Sequence, residues 1–388
     1  MNIPIAKTNL SNKEINSVLE PLKSGWLVQG PKVREFEEKW SKFTGVPHSI
    51  AVTSCTSALQ LSLAALGFTN EDEAIVPAFT WVSTANVIEH LGGKVVFCDI
   101  DAETFNIDVK QIESKITKRT RAILPVHLFG LSANLQPILE LAKKYNLWVV
   151  EDAACGLGSK YKGQHVGAFG NSGCFSFHPR KSITTGEGGM ITTNDKSLAE
   201  KMRRLRDHGA AITDLQRHLG SRPYLLSDHP DAGYNQRMTD IQAALGSAQM
   251  DRASKIVSER QNLAKRYDEA FADLDWLQTP FTGQIYEHGY QSYPCMFKPK
   301  EINLNRIEQI NSQRNKWMDN LQKLGISTRP STHAVHLLSF YRKKYDLKPA
   351  DYPIAYAADK CSISLPLFHG MIEAEQDYII EKVLKLKC

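Results

Sequence analysis

Three short stretches of this chain carry residues whose types could do chemistry together. Ser54-Cys55-Thr56-Ser57 leads directly into a helical run, and free N–H groups with hydroxyls at a helix start suit a phosphate. The same stretch also reads as a plain N-cap, a Ser or Thr satisfying the first turn. Glu151-Asp152-Ala153-Ala154 follows the apolar run Trp148-Val149-Val150. A carboxylate there needs a cationic partner or solvent, so it could ligate a metal, cap a helix or balance a protonated heterocycle. Lys181 ends Cys174-Phe-Ser-Phe-His-Pro-Arg-Lys181 and precedes the glycine-rich turn Gly186-Glu187-Gly188-Gly189. Glycines let backbone approach a ligand closely, and a partly buried lysine sheds its charge to become a nucleophile toward carbonyls. Alone, it reads as a surface lysine in a turn. Together, a phosphate-ready helix start, a strand-end acid and a lysine 29 residues beyond that acid match the needs of pyridoxal phosphate. That cofactor requires an amine, a carboxylate for its ring nitrogen and a phosphate cradle.

Other motifs fall away. No Gly-x-x-x-x-Gly-Lys-Ser/Thr occurs, and Gly156-Leu157-Gly158 starts like a dinucleotide fingerprint but has Tyr161 where the third glycine belongs. His333 and His336 have no third ligand close in sequence, so packing or substrate contact fits them better than a metal. Lys201, Arg203, Arg204 and Arg206 flank the apolar stripe Leu198, Met202 and Leu205, as a solvated helix face would.

The elements that position these groups alternate. Strands are expected at Ser49–Thr53, Ala74–Val76, Lys94–Phe97, Ala122–Leu124 and Leu147–Val150. Helices are expected near Thr56–Leu66, Ser83–Leu91, Leu135–Tyr145 and Leu198–Arg206. Such alternation implies crossovers and a mostly parallel sheet with both faces covered. After about Asp251 the pattern changes: a charged helix over Lys255–Phe271, then proline-containing segments, and helices near Ile310–Leu324 and Glu373–Leu386. The expectation is a large α/β domain over residues 1–253 and a smaller α+β domain over 254–388. Of 388 residues, 42% are hydrophobic and 23% charged, which excludes a disordered chain. A formal charge of +5 does not argue for nucleic acid, and no apolar run could span a bilayer. The start of the chain lacks a signal peptide's features. Seven scattered cysteines without Cys-x-x-Cys fit reduced thiols in a cytoplasmic protein rather than disulfides or zinc.

Here the chain closely resembles the sugar aminotransferases of the DegT/DnrJ/StrS group. The resemblance runs through Ser24-Gly-Trp-Leu-Val-Gln-Gly-Pro-Lys-Val33, Ser54-Cys-Thr-Ser-Ala-Leu59, Pro77-Ala-Phe-Thr-Trp81 and Pro125-Val-His-Leu-Phe-Gly130. It continues through Glu151–Ala154, the block from Phe175 to Gly189, and Gly233-Tyr-Asn-Gln-Arg-Met-Thr-Asp240 into Ala244. It is strong over roughly residues 10–260. It implies the aspartate-aminotransferase type fold, fold type I of the pyridoxal-phosphate enzymes, with a mostly parallel seven-stranded-type sheet flanked by helices. It also implies that Lys181 forms the Schiff base and shuttles the proton, while Asp152 pairs with the pyridinium nitrogen. Trp81 stacks on the ring, and Thr56, Ser57 and Ser176 hold the phosphate. Asn235 reaches the phosphate from the neighbouring subunit of a homodimer with shared active sites. Two positions depart from the family: Cys55, where glycine is usual, and Cys155, where Gln or His commonly meets the cofactor's phenolic oxygen. A thiol is a weak donor there. Relatives that are C3-dehydratases carry His in place of the lysine, so Lys181 favours transamination.

The resulting expectation is a cytoplasmic aminotransferase that loads its cofactor from L-glutamate and aminates a nucleotide-linked keto-sugar, most simply a 4-keto-6-deoxy one. Arg237 and Arg329 are cationic candidates for the nucleotide's phosphates, and His333 is a candidate sugar contact. No metal and no membrane enters this reading. The segment Arg329–His336 departs from common family versions and leaves room for a non-nucleotide ketone, such as a keto-cyclitol or small phosphorylated ketone, or for a 3-keto sugar. A cofactor-binding regulator without turnover is disfavoured by Lys181, Asp152 and Asn235 occurring together.

Overall fold

The computed structural model describes residues 1–212, 224 and 226–386. Cys388, among the seven cysteines, lies outside the described residues. Seven strands build the central sheet: β1 (His48–Val52), β2 (Glu73–Pro77), β3 (Lys94–Cys98), β4 (Thr120–Ile123), β5 (Trp148–Asp152), β6 (Ser172–Ser176) and β7 (Gly189–Thr193). Their order is β1-β7-β6-β5-β4-β2-β3. Every pairing from β6 through β3 is parallel. The expected mostly parallel sheet is therefore present.

Strand β7 departs from the alternating pattern, running antiparallel to both β6 and β1. Residues 177–188 between β6 and β7 contain no helix, and a parallel return needs a crossover that only a helix usually provides. The chain therefore doubles back, and its reversal carries Lys181.

Helices cover both faces, which is why the strands are buried on both sides. Successive strand residues divide between two layers. Ile50, Val52, Val76, Val150, Cys174 and Ile191 join one core with α2 (Cys55–Leu66), α3 (Ser83–His90) and α5 (Lys196–Arg206). Their neighbours Ala51, Phe175 and Met190 face the opposite layer, packed by α1 (Pro31–Thr44) and α6 (Asp240–Met250). Ile75, Ile123 and Val149 do likewise, against α4 (Leu135–Tyr145). Helix α4 spans the predicted residues.

The long helix α7 (Ala253–Phe271) leads to a second, antiparallel sheet of β8 (Leu277–Gln278), β9 (Tyr293–Phe297) and β10 (Ser362–Leu365). Helices α8 (Ile307–Lys323), α9 (Pro353–Cys361) and α10 (Glu373–Lys385) accompany it. The first residues of the chain pack here too, Ile3 bridging to Ile326.

One sequence reading needs correction. Arg206 does not belong to a solvated face: it is 3% exposed, and its Nη1 donates to Glu37 Oε1 and to the Ala51 carbonyl, each at 2.7 Å. Arg203 also reaches inward, donating to the Ser49 carbonyl at 3.1 Å. Helical periodicity ranks residues by their own helix, whereas here α1 and β1 come close enough to receive a long side chain. Among the described residues, no helix is long and apolar enough to cross a membrane, and no three His, Cys, Asp or Glu converge as metal ligands.

Candidate active site

The carboxyl ends of β5 and β6 and the start of α2 meet at one place in the large sheet. Asp152, the last residue of β5, is 3% exposed. Its Oδ2 accepts from Thr84 Oγ1 at 2.7 Å, and its Oδ1 accepts a longer bond from the Ala154 amide at 3.2 Å. Burial pushes its carboxyl above the usual range, while the Thr84 hydroxyl pulls it back. Asp152 forms no ion pair among the described residues.

Its neighbour Glu151 has a structural task. It is fully buried and accepts from His127 Nε2 at 2.9 Å and from the amides of Gly167, Phe169 and Gly170 at 2.7–2.9 Å. His127 Nδ1 accepts from the Ala133 amide, so its single proton sits on Nε2, facing the carboxylate. Burial would raise Glu151, but the His127 and backbone donors hold it below the ordinary carboxylate range. Adjacent acids thus divide: one is saturated by protein donors, the other is left with room for a cation.

Lys181 emerges from the β6–β7 reversal, its amide donating to the His178 carbonyl at 2.8 Å. Its Nζ donates to Cys155 Sγ at 3.2 Å and enters no carboxylate pair among the described residues. Gly186 takes φ +80°, which glycine allows without strain. Gly189 lies so close to α2 that a Cβ would sit 2.5 Å from the Ser54 carbonyl group and 2.7 Å from the Cys55 nitrogen. That contact lays β7 against the helix start. There Ser54 is the N-cap, its Oγ accepting from the Ser57 amide at 3.0 Å. The cap reading therefore holds for Ser54, and Thr56 and Ser57 follow it, partly exposed. Ser176, at the end of β6, is also partly exposed. Cys55 is buried, 3.4 Å from the Cys174 carbonyl and 4.0 Å from Asp152 Oδ1. Burial, then the Asp152 charge, raises its thiol.

Trp81 is 54% exposed and lies 5.7 Å from the ring of His333, which a short ladder between Phe79–Thr80 and His333–Ala334 brings beside it. His336 instead points into an aromatic pocket, 4.8 Å from Tyr352 and 6.5 Å from Phe97. Asn235 is exposed, its backbone bridged to Asp207. Arg237 donates to Asp207 Oδ1 at 2.6 Å. Arg329 lines a small cavity with Arg180, Gln291 and Ser292. Sequence reasoning passed over Thr84; its signal was position, three residues beyond Trp81 at the start of α3.

The donor set suits pyridoxal phosphate. A buried carboxylate and an amine that meet no ion-pair partner among the described residues, and a capped helix start beside a glycine-laid strand, are what its nitrogen, aldehyde and phosphate require.

The model of the DegT/DnrJ/EryC1/StrS aminotransferase family matches residues 8–384. The chain belongs to that family. It is a pyridoxal-phosphate-dependent aminotransferase. It is 37% identical to the spore coat polysaccharide biosynthesis protein SpsC of Bacillus subtilis over 98% of this chain and 96% of that one. It is also 37% identical to the GDP-perosamine synthase of Caulobacter vibrioides over 97% of this chain and 96% of that one. Among solved structures it is similar to Spr1654 of Streptococcus pneumoniae in its PLP-form, at 30% identity, with full coverage of both chains and a TM-score of 0.89. Within this aminotransferase, Lys181, Cys155 and Ser176 line one cavity, Asp152 meets Thr84 and Cys55 at the start of the helix that carries Thr56 and Ser57, and Trp81 packs against His333. Arg237 and Asn235 lie on the segment that lines β1, where Arg237 bridges to Val52.

Proposed function

We propose that this aminotransferase takes the amino group of L-glutamate and places it on the C4 keto group of a nucleotide-linked 4-keto-6-deoxy sugar. The observation that carries the reading is a buried Asp152 that meets no cation and a Lys181 amine that meets no carboxylate among the described residues, together with an exposed Trp81. The exposure of Trp81 suits a second substrate that is long and polar. The Caulobacter relative, named for a GDP-linked product, supports a nucleotide-linked substrate.

When bound, the cofactor supplies an aldehyde that accepts the amino group and a protonated ring that draws off electron density at the reacting carbon. Lys181 Nζ carries the proton at that carbon. Asp152, with Thr84 holding Oδ2, keeps the ring nitrogen protonated because a buried carboxylate is stabilised by an adjacent cation. Trp81 covers a ring face. Thr56, Ser57 and Ser176 hold the phosphate, joined by the partner subunit's Asn235 in a homodimer with shared sites. Cys155 Sγ, beside Lys181, would be the side chain available to the cofactor's phenolic oxygen. His333, against Trp81, contacts the sugar. Arg237, already balanced by Asp207, shares its charge with the nucleotide's phosphates. Residues 1–253, apart from the first few that pack on the second sheet, form the cofactor domain and 254–388 the smaller one, in a cytoplasmic enzyme.

Borohydride reduction of the cofactor-loaded protein, followed by peptide mapping, tests the site: the pyridoxyl mass should sit on residue 181. Glutamate should convert the cofactor to its pyridoxamine form, and that form should aminate nucleotide-linked 4-keto sugars in preference to a keto-inositol. Retained turnover in Lys181→Ala, or preference for the keto-inositol, overturns the reading.

A further inference from the structure

Among the described residues, one cysteine differs from the rest. Cys55, Cys98, Cys174, Cys295 and Cys361 are buried, and burial raises each thiol, so each keeps its proton. Cys155 alone is half-buried. It lies just beyond the end of β5 and lines a small cavity with Lys181, Ser176 and Gln291. Lys181 Nζ donates to its sulfur at 3.2 Å, which puts a thiol and an amine, both nucleophiles, in contact.

Two guanidiniums lie close enough to feel charge on that sulfur, and neither meets a carboxylate among the described residues. Arg260 is 3% exposed; its Nη1 donates to the carbonyls of Tyr290, Gln291 and Leu367, while its Nε meets no acceptor. Burial pushes this guanidinium down to about 10, and charge on Cys155 opposes the fall. Arg329, whose carbonyl accepts from the Ser364 amide in β10 at 2.8 Å, is lowered by burial and by Arg180, and charge on Cys155 opposes that too. Reactive cysteines sit in partly exposed, electropositive surroundings, because the thiolate is the form that attacks peroxide. A lysine and two arginines supply such surroundings here.

We propose that Cys155 and Lys181 are a peroxide-sensitive pair whose sulfur and nitrogen join in a sulfenamide, withdrawing the amine from catalysis until a thiol reductant restores it. The Cys155 sulfur attacks hydrogen peroxide: an S–O bond forms, the O–O bond breaks, and the departing hydroxide takes the proton that thiol and amine held between them. Sulfur is oxidised by two electrons to a sulfenic acid, and one water is released. Lys181 Nζ then attacks that sulfur. An N–S bond forms, the S–O bond breaks, and hydroxide leaves with an amine proton as a second water. Sulfenic acids condense with backbone nitrogen in this way, and an amine already at 3.2 Å reaches the sulfur with little movement. A dithiol returns the two electrons, regenerating thiol and amine as it becomes a disulfide. The link also stops the sulfur short of irreversible sulfinic acid. None of this depends on which donor or which sugar the enzyme uses.

The test treats the full chain, with and without cofactor, with hydrogen peroxide and maps its peptides in the absence of reductant. In the cofactor-free chain the peptides holding residues 155 and 181 should appear joined, lighter than their sum by two hydrogens, and dithiothreitol should separate them. Cys155→Ser should lose the joined peptide. Lys181→Arg should lose it too and leave Cys155 as sulfinic acid. Melting temperatures show whether the variants fold, and the wild-type map stands without them. Sulfinic acid on Cys155 with Lys181 free, in wild-type protein, overturns the inference. So does an unmodified Cys155 at a peroxide concentration that oxidises the exposed Met1. Cofactor loading should suppress the link, because Lys181 Nζ is then engaged. A joined peptide that forms equally with cofactor bound would overturn the Schiff-base role of Lys181 and leave the pair standing.

Discussion

Thr84→Val keeps the shape of the side chain and removes the one hydroxyl that reaches Asp152 Oδ2, at 2.7 Å inside a fully buried environment. A hydrogen bond to a charged group contributes about 1.5–3 kcal/mol, which corresponds to roughly ten- to hundredfold in an equilibrium constant. The remaining donor to Asp152 is the distant Ala154 amide at 3.2 Å, with Cys55 Sγ farther off at 4.0 Å, so compensation should be small. Burial already raises the Asp152 carboxyl and the Thr84 hydroxyl opposes that rise; deleting the hydroxyl raises it further. A carboxylate with a higher pKa is protonated over a wider acidic range and holds a ring cation less well. The variant should therefore bind the cofactor about tenfold more weakly or worse, measured by fluorescence titration. The acidic limb of its glutamate half-reaction should move to higher pH, while Thr84→Ser should restore both. Cofactor affinity and pH profile within about threefold of wild type, in a protein that melts at the same temperature, would show that Thr84 does not hold Asp152 for the ring nitrogen.

Gly189→Ala would force a Cβ to within 2.5 Å of the Ser54 carbonyl group; overpacking of that kind costs about 1–3 kcal/mol, so thermal unfolding should start earlier, and an unchanged melting temperature would contradict the tight β7–α2 contact. His165 is buried with Nδ1 donating to the Val166 carbonyl and Nε2 accepting from the Gly158 amide; burial pushes it down to about 4, and His288 lies at about 3 for the same reason. Unfolded, a histidine titrates near about 6.5, so the unfolded chain binds more protons below that value and stability falls with acid from about pH 6.5 toward pH 4. His165 alone accounts for as much as about 3 kcal/mol of that fall, readable by denaturant unfolding at several pH values; a flat profile between pH 6.5 and 4.5 would mean these rings are not held neutral.

The amino-acid sequence by itself determined which chemistry the chain could support. Asp152 stood out because it ends a strand and parallel sheets present those ends to ligands, and Lys181 because it precedes a glycine-rich turn between two strands. Helices α4 and α10 were legible because their periodicity depends on nothing beyond themselves. Strand β7 was not, since Gly189-Met-Ile-Thr-Thr193 has no alternation and its direction follows from a reversal without a crossover helix. Arg206 was misread because its partners, Glu37 and Ala51, belong to other elements. Thr84 looked like any threonine opening a helix until the fold brought it under Asp152. The cavity shared by Arg180 and Arg329 joins a loop of the large sheet to a segment paired with β10, and two such distant segments meet only once the second sheet has packed. A residue's type and its local period are written in the chain, whereas its neighbours across the core exist only after hydrophobic packing has chosen which surfaces meet.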